Sequence, residues 1–107
     1  MVQPQIEELN LLHAHVCQAL GVPTRLQILY ALYEEPMRVN ALAEMLDTPQ
    51  SSISRHLSTL RQRSLVLADR NGTEVTYRLA DERIIEVLDL MRLVLRDALE
   101  RQSDMLS

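Results

Sequence analysis

Residues 41–63 read Ala41-Leu-Ala-Glu-Met-Leu-Asp-Thr-Pro-Gln-Ser-Ser-Ile-Ser-Arg-His-Leu-Ser-Thr-Leu-Arg-Gln-Arg63, and this stretch decides the fold. It opens as a short apolar helix and turns at Thr48-Pro49. A second helix then starts, with Thr48 expected as its N-cap and Pro49 as its first helical residue. On that second helix Ile53, Leu57 and Leu60 recur at i, i+4, i+7, which makes one narrow buried stripe. The rest of it is small hydroxyls, amides, one histidine and arginines. Such a helix lies on a core with one side and offers short donors to a duplex groove with the other. The pattern is that of a DNA binder rather than an enzyme.

Upstream, an apolar stripe of Ile6, Leu9, Leu12, Val16 and Leu20 predicts a first helix from about residue 6 to 20, with Gly21 as a left-handed stop. Pro23 opens a second helix that ends before Pro36, and a short third helix is expected over residues 39–46. Downstream, 65–68 and 75–79 are short extended runs, and Asn71-Gly72 between them is a hairpin-turn signal. Asp81 is placed to cap a last helix over 82–102. The expected fold is mainly α, a winged helix-turn-helix of about five helices plus a two-stranded β-hairpin wing. It forms a single domain over 1–107, with an N-terminal helix in 1–22, the helix-turn-helix in 39–63, the wing in 65–79 and a C-terminal dimerisation helix in 81–102.

The last helix is too apolar for one buried face. Ile84, Ile85, Val87, Leu88, Leu90, Met91, Leu93, Val94, Leu95, Ala98 and Leu99 cover much of its circumference, and a surface this wide needs a cover. The first helix covers part of it and a second subunit the rest, so a homodimer is expected. Two-fold symmetry also suits a reader of paired half-sites.

The 107 residues lack Phe and Trp, so Leu, Ile, Val, Ala and Met fill the core. No run approaches the ~20 apolar residues of a membrane span, and no signal-peptide pattern opens the chain; a cytoplasmic protein without membrane contact is expected. One cysteine, Cys17, excludes an intrachain disulfide. The net charge of −4 hides an asymmetry. From Gln50 to Arg78 five arginines stand against Asp69 and Glu74, a balance of +3, which leaves −7 for the remainder. A basic face on an acidic body is the footprint that phosphates meet.

The stretch Ala19-Leu-Gly-Val-Pro-Thr-Arg-Leu-Gln-Ile-Leu29 resembles the opening signature of ArsR/SmtB-type repressors. Residues 51–60, Leu65-Val66 and Thr76-Tyr-Arg-Leu79 resemble that family's recognition helix and wing. The resemblance implies a dimeric winged-helix repressor that leaves a two-fold symmetric operator in double-stranded DNA when an effector binds. It implies that Gln50, Ser51, Ser52, Ser54, Arg55, His56, Ser58 and Arg61 face the major groove or its phosphates. Arg55 is placed for guanine, Gln50 for adenine. Arg70, Asn71 and Gly72 at the wing tip would lie near the minor groove. The N-terminal helix in 1–22 would be a dimerisation helix, and Leu9, Leu12, Val16, Leu88, Met91, Val94 and Leu95 would form the dimer interface. Two bland readings stand beside this: the hydroxyls as a solvated face, and His56 turned inward to hold the turn. Ser64 stands where the family usually has glycine, which implies about 1 kcal/mol of backbone strain.

The family's metal-ligand sets are poorly matched. On the last helix Asp81 holds a ligand's place, but Arg83 stands where a histidine belongs, and Val94 and Asp97 occupy the second pair. The third helix carries no cysteine pair, and one cysteine is too few for a sulfide sensor. What remains is His13 and Cys17 at i, i+4, a spacing that can chelate a soft cation with help from a second subunit. Against it stands Cys17 as a small core hydrophobe. No cofactor is expected. A winged helix used as a protein-interaction module is the alternative function, and the absence of any nucleophile–base pair or phosphate-cradling loop argues against an enzyme.

Overall fold

The computed structural model describes residues 2–106, so the two terminal residues of the expected 1–107 domain lie outside it. Helix α1 spans Ile6–Leu12 and runs into a π-helical turn, His13–Cys17, and a 3₁₀ turn, Ala19–Gly21. Helices α2 (Pro23–Glu34), α3 (Val39–Met45) and α4 (Gln50–Gln62) follow. Strands β1 (Val66–Asn71) and β2 (Glu74–Leu79) come next, then α5 (Arg83–Leu106).

The single first helix expected over 6–20 is therefore jointed. At its middle Gln18 N–H reaches back five residues to His13 C=O (2.9 Å), and at its end Gly21 N–H reaches three to Gln18 (3.3 Å). The stop is not a left-handed Gly21. Val22 is extended (φ −118°, ψ 117°), as the residue before a proline must be, and Pro23 opens α2 in the first helical turn. The end of α5 also differs: nothing between 102 and 106 breaks a helix, and it continues to Leu106.

Helices α3 and α4 end alike. At α3, Thr48 N–H bonds Ala43 C=O (3.0 Å) and Asp47 N–H bonds Glu44 C=O (3.3 Å); at α4, Leu65 bonds Leu60 (2.9 Å) and Ser64 bonds Arg61 (3.0 Å). Both are Schellman closures, whose C′ residue is left-handed and usually glycine. Here they are Asp47 (φ 49°) and Ser64 (φ 61°). Thr48 is consequently not the N-cap of α4. Its hydroxyl bonds Leu46 C=O (3.0 Å), while Pro49 caps the helix, its carbonyl accepting from Ser52 and Ile53.

The core is apolar throughout. Ile28 and Leu29 of α2, Leu42 of α3, Ile53, Leu57 and Leu60 of α4, and Val66 of β1 are fully buried, and Ile85 and Leu88 of α5 close one side. The wing is an antiparallel ladder from Val66↔Leu79 to Asn71↔Glu74. Its loop is thus Gly72-Thr73, one residue later than expected. Only Gly72 has positive φ (67°), the pattern of a type II′ turn, so Asn71 stays in the ladder. The base of the wing is pinned by Met37, which exchanges two backbone hydrogen bonds with Tyr77 (3.0 and 2.8 Å).

Candidate nucleic-acid interface

With about 100° per residue, the three buried side chains of α4 occupy one sector, and Gln50, Ser51, Ser54, Arg55, Ser58 and Arg61 spread over the solvent side. All six are exposed. Ser52 is half-buried and its Oγ accepts from Arg55 Nη2 (3.3 Å), a one-turn tether for the guanidinium. The start of α4 is held by the Schellman turn before it, and the apolar stripe fixes its rotation about its own axis.

His56 sits apart from this arc. Its Nδ1 accepts a hydrogen bond from Arg25 Nε (3.2 Å), and the ring is half-buried against α2. Burial, then the positive charges of Arg25 and Arg55, push its pKa below the usual 6.5. The ring is accordingly neutral at pH 7, and its inward nitrogen is an acceptor. The geometry matches the inward reading of His56 and departs from the groove-facing one. Arg25 was not singled out from sequence, and a partner 31 residues away leaves no local signal.

Arg70, Asn71 and Gly72 are exposed at the wing tip. The two acids of the basic stretch are both neutralised: Asp69 by Arg78 (2.8 Å) and Glu74 by Arg38 (2.7 Å). Exposed pairs such as these contribute little to stability, but they cancel negative charge beside the tip. Among the described residues no carboxylate pairs with Arg55, Arg61 or Arg70. Arg63 is different again, since its guanidinium donates to Ala14 C=O.

Of the residues expected at a dimer interface, Leu9 and Leu12 of α1 and Met91, Val94 and Leu95 of α5 are exposed, and Val16 is half-buried. Leu88 differs. It is 3% exposed and belongs to the core of its own chain. Leu90 and Leu93, which lie off the main stripe, are also exposed. Among the described residues no helix is long and apolar enough to cross a membrane.

Among the described residues no three His, Cys, Asp or Glu side chains stand together as a cation site. Asp81 caps α5 through Arg83 N–H (2.9 Å), and its carboxylate is gripped by the Arg83 guanidinium at 2.6 and 3.1 Å, which lowers its pKa to about 2. A guanidinium on this carboxylate does not fit a divalent cation there. His13 and Cys17 lie on the π-helical turn, both exposed, so Cys17 is not a core hydrophobe.

Known proteins resemble this chain in sequence and in fold. The profile of the family described as "Bacterial regulatory protein, arsR family" matches residues 22–66. The HTH-type transcriptional regulator NmtR of Mycobacterium tuberculosis is 41% identical over 76 residues, 71% of this chain and 63% of that protein. An HTH-type transcriptional regulator of Methanocaldococcus jannaschii is 38% identical over 79 residues, 73% of this chain and 89% of the relative. Among solved structures, the homodimeric winged helix-turn-helix DNA-binding domain of a possible ArsR-family transcriptional regulator from Mycobacterium bovis superposes with a TM-score of 0.75. It is 32% identical and the match covers 94% of this chain and 95% of that one. Several mycobacterial relatives are longer: the matched part is 63% of NmtR and 56% of KmtR. In sequence and in its winged helix-turn-helix fold, the chain belongs to the arsR family of bacterial regulatory proteins.

Proposed function

We propose that the chain is a homodimeric regulator of transcription, a repressor that binds double-stranded DNA through α4 and the wing and leaves it when an effector binds. One observation carries this reading. The arc of Gln50, Ser51, Ser54, Arg55, Ser58 and Arg61 is exposed, free of carboxylate partners, and backed by a fully buried stripe that holds it rigid. A rigid helix with unpaired donors matches what a major groove demands, and Arg70 beside Gly72 at the wing tip suits the adjacent minor groove. His56 supports the helix from behind. The jointed N-terminal segment and α5 serve as the dimerisation elements.

The named relatives are transcriptional regulators, and no enzymatic role is proposed. The protein acts in the cytoplasm, where its DNA is. A metal effector held by His13 and Cys17 would need donors from the second subunit. The test is fluorescence anisotropy with duplexes covering the DNA upstream of the coding sequence, at several salt concentrations, with zinc, nickel, copper, oxidant or reductant added in turn. Expected are specific binding that weakens steeply with salt and release by one addition. Binding to no duplex, or binding independent of sequence, overturns the reading.

A further inference from the structure

Two arginines lie behind the outward arc of α4, and their guanidiniums are aimed at the jointed segment 13–21. Arg63, at the C-cap of α4, donates to Ala14 C=O. Arg25, from α2, donates through Nε to His56 on α4 and through Nη1 to Ala19 C=O (3.2 and 3.4 Å). His56 and Arg63 share one flank of α4, two turns apart and away from the outward arc. The two acceptor carbonyls belong to the π-helical and 3₁₀ turns, where the regular four-residue ladder is broken. Apolar packing is thin here: in α1 and the π-helical turn nothing is buried, and in the 3₁₀ turn Ala19 alone is. Val16 and Leu20 are only half-buried, so the angle between α1 and α4 rests on these polar contacts as well as on a few apolar ones.

We infer that Arg25 and Arg63 are positioning residues for DNA reading: they clamp the recognition helix to the jointed segment and so set the spacing at which the two α4 helices of the dimer meet DNA. The inference rests on the dimeric DNA-binding reading above. In such a dimer α1 belongs to the interface, so any swing at the joint is carried into the distance between the reading helices. Arg63 contributes by its hydrogen bond to Ala14 rather than by neutralising a phosphate.

The experiment separates these roles. Wild-type protein selects a duplex from a random pool; its affinity is then measured for that duplex and for versions with one base pair added or removed between half-sites. One base pair moves a half-site by about 3.4 Å and about 35°. Wild type is expected to lose about tenfold or more on either change, as with a mismatched contact. Arg63→Ala, and separately Arg25→Gln, are expected to bind the selected duplex more weakly and to bring all three spacings within about threefold, with the salt slope unchanged. Circular dichroism checks the fold, and Arg63, which makes a single exposed hydrogen bond, keeps the test available if Arg25, with its two part-buried ones, does not tolerate change. Variants that keep the wild-type spacing preference overturn the clamp. So does a uniform loss across spacings, which with a salt slope smaller by about one would identify Arg63 as a phosphate contact. If wild type itself selects no duplex, the DNA-binding reading fails, and the clamp's role with it.

Discussion

Ser64 shows how much one residue's backbone can reveal. Its φ of 61° closes α4 in a Schellman turn, a conformation that costs an L-residue roughly 1–2 kcal/mol and glycine almost nothing. Glycine gives back about 0.5–1 kcal/mol through its freer unfolded chain, so Ser64→Gly should stabilise by about 0.5–1 kcal/mol. In a domain of this size that raises the melting midpoint by about 4 °C. Ser64→Val should lower it, and an unchanged midpoint for both would show that the turn is not under strain.

His56 gives a pH dependence of definite sign. Its pKa is lowered in the folded state, so between that value and the unfolded 6.5 the unfolded chain binds more protons. Its contribution is present above pH 6.5 and is lost as the pH falls through the folded value. Urea midpoints should drop below pH 6.5, and His56→Gln should remove that part of the slope. A ring titration by NMR at or above 6.5 would contradict the neutral, Arg25-bonded ring. At Arg55, which carries no such internal partner beyond Ser52, Arg55→Ala should weaken operator binding by about 1–3 kcal/mol, read by anisotropy, with the dimer mass unchanged. Equal affinity would remove it from the base-reading set.

At the level of elements, α4 was legible in sequence because burial repeats. Ile53, Leu57 and Leu60 are spaced for one face, and all three are at 0% exposure. Leu57→Ala should therefore cost about 2–5 kcal/mol, measured by denaturant unfolding; a loss below 1 kcal/mol would mean that the site collapses around the gap. The wing was legible for a different reason, since its turn residues announce it. The turn was misplaced by one residue because Asn and Gly both tolerate positive φ, and sequence does not say which pair sits at the tip. The joint in the first helix was not legible. Its apolar stripe runs on without interruption, and the arginines that meet its Ala14 and Ala19 carbonyls come from across the fold. Arg25–His56 and Met37–Tyr77 were hidden likewise, as contacts of large sequence separation. The expected dimer residues sorted themselves only in three dimensions: Leu88 and Met91 are neighbours on one stripe, yet one lies in the core and the other outside it.

The whole molecule is more extended than its length requires. Its radius of gyration is 16.5 Å, against about 13 Å for a compact domain of this size. Past Leu88 no residue of α5 is buried, which leaves about 27 Å of helix carrying Leu90, Met91, Leu93, Val94, Leu95 and Leu99 to solvent. A face of that length, together with the exposed Leu9 and Leu12 of α1, suits the roughly 800 Å² per partner that a stable dimer buries. The prediction turns on contrast within the same helix. Met91 and Val94 are more than half exposed in one chain, so Met91→Glu and Val94→Glu should each fold yet run as a 12.3 kDa monomer by light scattering. Each should also lose the gain in affinity that a two-half-site duplex has over a single half-site. Leu88→Glu places a charge inside the protomer and should unfold it instead of dissociating it. If the Met91 and Val94 variants stay dimeric and keep their preference for paired half-sites, the subunits meet elsewhere, and the long apolar helix needs another partner.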